Sequence, residues 1–215
     1  MLRLALPLGV EGKLIGQTAF GTDELFMDSK ENISHRFIAV QNGDDCFAVF
    51  NNCTYGSTYR DNTLYLSLLR GTTYAAHPSS FGSLVTEDRN NKRADQGEHN
   101  YSFRIAVAKR NELERMAEEF NQKPYVQSAF PVKADYRENK NPKRLVVENT
   151  NIALITFKAA DNGDGYIIRL MNNSPDEAKT VISIAEEKAE LQFGKYEAKT
   201  VRYNGKFEEL DSLEI

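Results

Sequence analysis

The sequence has few of the residues on which disulfide-rich and metal-binding proteins depend. Its 215 residues include two cysteines and three histidines. A secreted disulfide scaffold normally carries more cysteines, so we expect Cys46 and Cys53 to be reduced thiols. The histidines lie in unrelated segments, whereas a zinc site needs three or four converging ligands. We therefore expect this chain to hold no metal and no other cofactor of its own.

Long apolar runs and blocks of like charge are also missing. No apolar run approaches the roughly 20 residues that a membrane helix needs, and no cationic start precedes a short apolar stretch. The net charge is -4, with acidic and basic residues interspersed along the chain. This charge gives no reason to expect a nucleic-acid partner. The composition indicates a soluble, cytoplasmic protein without a membrane partner.

The most informative pattern is a strand that lies between turns and ends in an arginine. Residues 51–57 are rich in turn-forming types, and residues 63–69 alternate as a strand. The pattern predicts that Leu64, Leu66 and Leu68 face one side of a sheet. Arg70 follows at once, so a guanidinium is expected at the end of a buried strand.

Arg70 has two interpretations. In the structural one, its side chain caps the edge of the sheet and pairs with a nearby carboxylate. In the functional one, the strand holds its planar fork of donors ready for a polar ligand such as a sugar hydroxyl.

A second cluster, Asp95-Gln96-Gly97-Glu98-His99, precedes another alternating strand. Carboxylates and an imidazole around a glycine are compatible with acid/base chemistry or metal binding. The spacing favours a hydrogen-bonded turn that fixes the start of the next strand.

The patterns along the chain predict an all-β fold of two sandwiches. A large antiparallel β-sandwich is expected over residues 1–124 and a smaller one over residues 145–215. Residues 125–144 are strongly polar and indicate a linker or an exposed loop. One short amphipathic helix is expected over residues 110–122, because its apolar residues follow helical spacing and Pro124 ends it.

The order of these motifs resembles the C-terminal β region of glycoside hydrolase family 38, the α-mannosidases. That family has a similar turn, a strand ending in Leu-Leu-Arg, and a segment of the form Asp-x-Gly-x-His before an aromatic-rich strand. The form of the last motif is similar to the bacterial branch, which includes mannosylglycerate hydrolases. The sequence departs from the family at Asn52, Thr54 and residues 71–73. The residues it shares with the family are Asn51, Cys53, Tyr55, Gly56, Leu68, Leu69, Arg70, Asp95, Gly97 and His99.

The resemblance implies that the chain is a non-catalytic part of a larger enzyme. Family members carry an N-terminal α/β barrel with zinc and an aspartate nucleophile, and no segment here has the alternation of such a barrel. We expect Met1 to lie within a longer polypeptide whose own catalytic domain is the partner and whose substrate is an α-mannoside. This chain alone is expected to be inactive and to contain no catalytic residue.

The expected role of the chain is to buttress the barrel and complete the wall of its sugar site. Arg70 is the residue predicted to contact substrate there, with Asp95, His99 and Tyr55 as orienting groups. The alternative is a free-standing carbohydrate-binding or structural β-sandwich. A flat, apolar, exposed patch around Arg70 would favour the first hypothesis, and a hydrated polar groove would favour the second. Whether the protein forms a homo-oligomer stays open.

Overall fold

The structure is a computed structural model that describes residues 1–9, 11–19, 21–72, 95–126 and 144–211. β-Strands form most of the regular structure in these residues, which confirms the predicted all-β fold. The strands are β1 Leu2–Pro7, β2 Lys13–Thr18, β3 Gly21–Glu24, β4 Glu31–Ile33, β5 Phe37–Asn42, β6 Asp45–Asn51, β7 Gly56–Arg60, β8 Thr63–Leu69, β9 Phe103–Lys109, β10 Leu145–Val147, β11 Ile152–Ala159, β12 Tyr166–Asn172, β13 Ala178–Ile184, β14 Glu187–Phe193, β15 Ala198–Tyr203 and β16 Phe207–Leu210.

The predicted helix is present as α1 Leu113–Asn121, preceded by a 3₁₀ turn at Arg110–Glu112. Its buried residues are Leu113, Met116 and Ala117, which confirms an apolar stripe at helical spacing. Within the described residues, no helix is both long enough and apolar enough to span a membrane.

The chain divides into two compact units. The first comprises Met1–Gly16 and Glu24–Val107, and the second comprises Gln17–Asp23 and Ala108–Ile215. Helix α1 groups with the second unit, and Glu114 on it accepts hydrogen bonds from the side chains of Gln17 and Thr22. This division lies earlier in the chain than the predicted limit at residue 124. Most of the predicted linker lies outside the described residues, so the predicted domain limits stay a prediction.

The first unit is an antiparallel β-sandwich. One sheet has the order β1-β8-β7-β4, and in the other β2, β5, β6 and β9 are consecutive neighbours. The alternation of β8 buries Leu64 and Leu66, as predicted, because the inner face of each sheet packs on the other. The core cluster consists of Leu8, Leu14, Ile38, Val40, Val49, Tyr59, Leu64 and Leu66.

The second unit is also an antiparallel sandwich, with sheets β11-β12-β15-β16 and β10-β13-β14. Its core combines residues from both sheets, namely Ile152, Ile168, Leu170, Ile182, Ile184, Leu191, Phe193 and Val201. Apolar patterning predicts strands over residues 145–148, 152–158, 165–171, 180–185 and 198–203, and a strand is present in each of these ranges. The pattern does not predict strands β14 and β16, because charged residues interrupt their apolar alternation.

Candidate functional site

The candidate site lies at one end of the sheet β1-β8-β7-β4. Because neighbouring strands run antiparallel, β8 ends where β7 begins and β4 ends. The register places Ile33 opposite Gly56, and Leu2 opposite Leu69. Arg70 therefore leaves the sheet at an end where three other strands meet.

A concavity of about 310 Å³ is present at this end of the sheet. Gly56 and Ser67 line it from the face opposite to the core, because side chains alternate along β7 and β8. A Cβ atom on Gly56 would lie 3.3 Å from the Ser67 Cβ, so the missing side chain helps to form the hollow. The lining residues are Met1, Glu31, Asn32, Ile33, Gly56, Ser67, Leu68, Leu69 and Arg70.

Arg70 is exposed at the rim of this concavity. Its guanidinium makes no hydrogen bond or ion pair with any residue that the structure describes. Glu31 supplies a carboxylate to the same concavity, but it forms an ion pair with Arg3, with 3.4 Å between Glu31 Oε1 and Arg3 Nη2. The structural interpretation, in which Arg70 pairs with a carboxylate, thus has no support among the described residues.

The rim also carries apolar side chains. Ile33 is 78% exposed and Tyr55 is 49% exposed, and Tyr55 precedes Gly56 in the chain. The backbone carbonyl of Tyr55 accepts a hydrogen bond from the amide of Ser34 at 3.0 Å, which ties its loop to the segment after β4. Its ring lies 5.7 Å from the ring of His35, measured between centroids. The predicted orienting residue Tyr55 is therefore fixed beside the hollow with its ring half in solvent.

Asp95 and His99 form a closed turn. The His99 Nε2 lies 2.9 Å from the backbone oxygen of Asp95. Asp95 and Gly97 have φ values of 56° and 132°, the left-handed region that such turns use. The hydrogen-bonded turn expected from the sequence is present, and both of its end residues are exposed.

Tyr101 connects this turn to the strand that ends at the site. Its hydroxyl donates a hydrogen bond of 2.8 Å to the backbone oxygen of Leu68, and the His99 ring stacks on its ring with 6.2 Å between centroids. The structure thus places the Asp95–His99 turn next to the segment leading into Arg70. The sequence pattern assigned no role to Tyr101, because an aromatic residue before an alternating strand is typical of packing.

The interior beside the site is polar in part. Ser57 and Tyr59 on β7 are buried, and their hydroxyls have no hydrogen-bond partner among the described residues. Burial raises the pKa of the Tyr59 hydroxyl above its ordinary value of 10.0.

No group of three or more His, Cys, Asp or Glu residues in the described ranges could hold a metal ion. Neither cysteine forms a disulfide with a described residue, and Cys46 is buried whereas Cys53 is exposed.

The comparisons with known proteins agree with the fold. Residues 14–78 match the model of the glycosyl hydrolases family 38 C-terminal domain, a range that includes Tyr55, Gly56 and Arg70. The resemblance to glycoside hydrolase family 38 is confirmed. The turn at residues 95–99 lies outside the matched range. No curated protein sequence matches the chain.

Two solved structures have a similar fold. An α-mannosidase from Enterococcus faecalis V583 matches with a TM-score of 0.71 and 11% identity over 94% of this chain and 25% of its own. A glycosyl hydrolase family 38 protein from Enterococcus faecalis matches with a TM-score of 0.69 and 14% identity over 94% of this chain and 26% of its own. The chain thus spans about a quarter of the length of these relatives.

Proposed function

We propose that this chain is the C-terminal β region of an α-mannosidase-type glycoside hydrolase. In this role it buttresses a catalytic domain that precedes it and supplies Arg70 to the wall of the sugar site. The observation that carries the proposal is an exposed guanidinium, without a partner among the described residues, at the rim of a concavity within the family-matched range.

The chemistry of arginine fits binding better than proton transfer. Its side chain stays protonated at physiological pH and offers five N–H donors in a fixed plane. Two neighbouring hydroxyl oxygens of a sugar can accept from that plane together. Arg70 would therefore hold and orient a sugar ring. Tyr55, Asp95 and His99 would orient the residues around it.

The reaction itself belongs to the catalytic domain. The resemblance implies a retaining hydrolase with two carboxylates about 5 Å apart, one acting as nucleophile and the other as acid and then base. The resemblance also assigns to that domain a zinc ion, which would orient sugar hydroxyls there. The side chains of the present chain would exclude water from one side of the sugar and fix its position. The α-mannoside substrate, the cytoplasmic location and the formation of a homo-oligomer stay predictions.

The exposed apolar side chains near Arg70 favour this proposal over a free-standing module. Monomers rarely expose large contiguous apolar areas, and such areas mark sites covered by a partner. Leu2, Ile33 and Tyr55 are each about half exposed or more around the concavity. A domain that covers them would bury these side chains, whereas a free-standing sugar-binding module would leave them in water.

Substitution of Arg70 in the longer protein tests the proposal. Arg70→Ala is expected to lower kcat/KM for 4-nitrophenyl α-mannoside by about ten- to a hundredfold, because hydrogen bonds to a charged group contribute about 1.5–3 kcal/mol. Arg70→Lys should retain part of the activity, since an ammonium group keeps the charge but lacks the planar fork. The thermal midpoint should stay unchanged, because the side chain is exposed.

Arg60 provides a matched control. It lies at the end of β7, at the other end of the same sheet, and its exposed guanidinium is 3.6 Å from Asp61. Arg60→Ala should leave kcat/KM unchanged. Equal kinetics for Arg70→Ala and the wild type would exclude Arg70 from the sugar site.

A further inference from the structure

The end of β8 contains a β-bulge. Leu2 of β1 pairs with Leu69 and the next residue, Arg3, pairs with Ser67, so the pairing passes over Leu68. The pairing of β8 with β7 ends at Leu66. Leu68 therefore has no ladder partner on either side, and Arg70 follows two residues later. Bulges bend a strand and redirect its side chains, and they occur often beside active sites.

A bulge leaves a backbone carbonyl that the ladder cannot satisfy. Such a group needs another donor, because a buried carbonyl without a hydrogen bond costs free energy. The Tyr101 hydroxyl supplies that donor, at 2.8 Å from the Leu68 oxygen. The half-buried Tyr101 ring is itself held, because His99 stacks on it and His99 Nε2 lies 2.9 Å from the Asp95 oxygen.

We propose that Tyr101 is a positioning residue for Arg70. Its hydroxyl fixes the bulged backbone at Leu68, and the fixed backbone sets the direction in which the Arg70 side chain leaves the sheet. The turn at Asp95 and His99 acts on Arg70 through Tyr101 and has no need to contact substrate. This inference rests on the proposed function, since it assigns a role in the same sugar site.

Tyr101→Phe removes one oxygen atom and keeps the ring in place. In the longer protein, we expect kcat/KM for 4-nitrophenyl α-mannoside to fall about three- to tenfold, the range for one lost hydrogen bond. Amide hydrogen exchange in peptides covering residues 68–70 should become faster, while exchange in the first half of β8 stays the same. Tyr65→Phe is the matched control. Tyr65 lies on β8, the strand that contains Leu68, and its hydroxyl makes no hydrogen bond to a described residue. This control should change neither quantity.

The double variant decides whether Tyr101 acts through Arg70. If it does, Tyr101→Phe should cause no further loss of kcat/KM when Arg70 is already alanine. An equal loss in both backgrounds would overturn the inference, and so would unchanged hydrogen exchange at residues 68–70.

The same measurements distinguish failure of this inference from failure of the proposed function. If Arg70→Ala lowers kcat/KM while Tyr101→Phe changes nothing, the positioning role is wrong and the sugar-site role of Arg70 stands. If Arg70→Ala leaves kcat/KM unchanged, the proposed site is wrong, and the inference that depends on it is overturned as well.

Discussion

Arg70 and Lys199 are both cationic side chains at sheets of this protein, but their surroundings differ. Lys199 on β15 contacts two carboxylates, Glu209 and Glu197, and its ammonium lies over the Phe193 ring. The hydrogen bond from Lys199 to Glu209 raises the pKa of the lysine. Arg70 has no such partner among the described residues. A cation whose charge is satisfied within its own unit stabilises the fold, whereas an unsatisfied exposed cation is available to a ligand.

Filling the hollow beside Arg70 should have the largest effect. Gly56→Val adds a side chain to the wall of the concavity while Arg70 itself stays intact. A valine is compatible with a strand and would contact Ser67 closely, so the cost to stability should be about 1–3 kcal/mol. We expect kcat/KM of the longer protein to fall about a hundredfold, because displacement of a substrate by about 1 Å can have that effect. Steady-state kinetics and a thermal melt measure the two quantities.

Two further substitutions serve as controls for Gly56→Val. Gly56→Ala should lower kcat/KM less than Gly56→Val does, because it adds a smaller side chain. Ala5→Val adds volume to the same face of the sheet, on the exposed part of β1 opposite Tyr65, and should leave kcat/KM unchanged. Full activity of Gly56→Val would show that the concavity is not occupied during catalysis.

Removing the charge of Lys199 should affect stability and leave activity unchanged. Lys199→Met keeps the apolar stem and removes the ion pairs, so the free energy of unfolding should fall by about 0.5–1 kcal/mol at neutral pH. The folded-state pKa of Lys199 is raised, so its contribution to stability is fully present below the ordinary lysine pKa of 10.5 and is lost as the pH rises through the higher folded-state pKa. Urea unfolding of the 215-residue chain between pH 7 and pH 11 measures this difference.

Two results would contradict the structural role of Lys199. One is a loss of kcat/KM in the longer protein that carries Lys199→Met. The other is a difference in unfolding free energy that grows, rather than shrinks, as the pH is raised above 10.5.

Substitution of Tyr59 should have the smallest effect, because its buried hydroxyl contributes no hydrogen bond to the part of the chain that the structure describes. Tyr59→Phe removes a buried hydroxyl that has no partner among the described residues, so the free energy of unfolding should stay constant or rise by about 1 kcal/mol. Burial raises the pKa of Tyr59 in the folded state, so deprotonation of the unfolded state above pH 10 lowers the free energy of unfolding of the wild type. The variant should therefore lose less stability than the wild type in alkaline urea unfolding. A clear destabilisation at neutral pH would show that the hydroxyl has a partner.

The sequence was sufficient to predict the fold class because alternation depends on burial on one face. Leu64 and Leu66 are in the core as predicted, and α1 has its stripe of buried residues. The position of Arg70 at a strand end followed from the same alternation. The turn at residues 95–99 could be predicted from its local composition, because glycine and aspartate tolerate the left-handed backbone conformation.

The tertiary part of the site could not be predicted in this way. The hydrogen bond from Tyr101 to Leu68 joins residues that are 33 positions apart, and nothing local to either residue indicates it. The bulge was missed for a related reason. Regular alternation predicted that Leu68 would share the buried face of Leu64 and Leu66, but pairing with β1 skips it and leaves it half-buried. Both features depend on which strands become neighbours.

The extra residue in β8 determines the side of the sheet on which Arg70 lies. Side chains alternate with a period of two, so an uninterrupted strand would put Arg70 on the inward side with Leu64 and Leu66. One additional residue reverses odd and even positions beyond it, and Arg70 then lies with Gly56 and Ser67 at the hollow. Deletion of Leu68 would therefore remove the bulge and still leave the guanidinium on the face of Gly56 and Ser67, because the residues beyond the bulge already alternate in phase with β1.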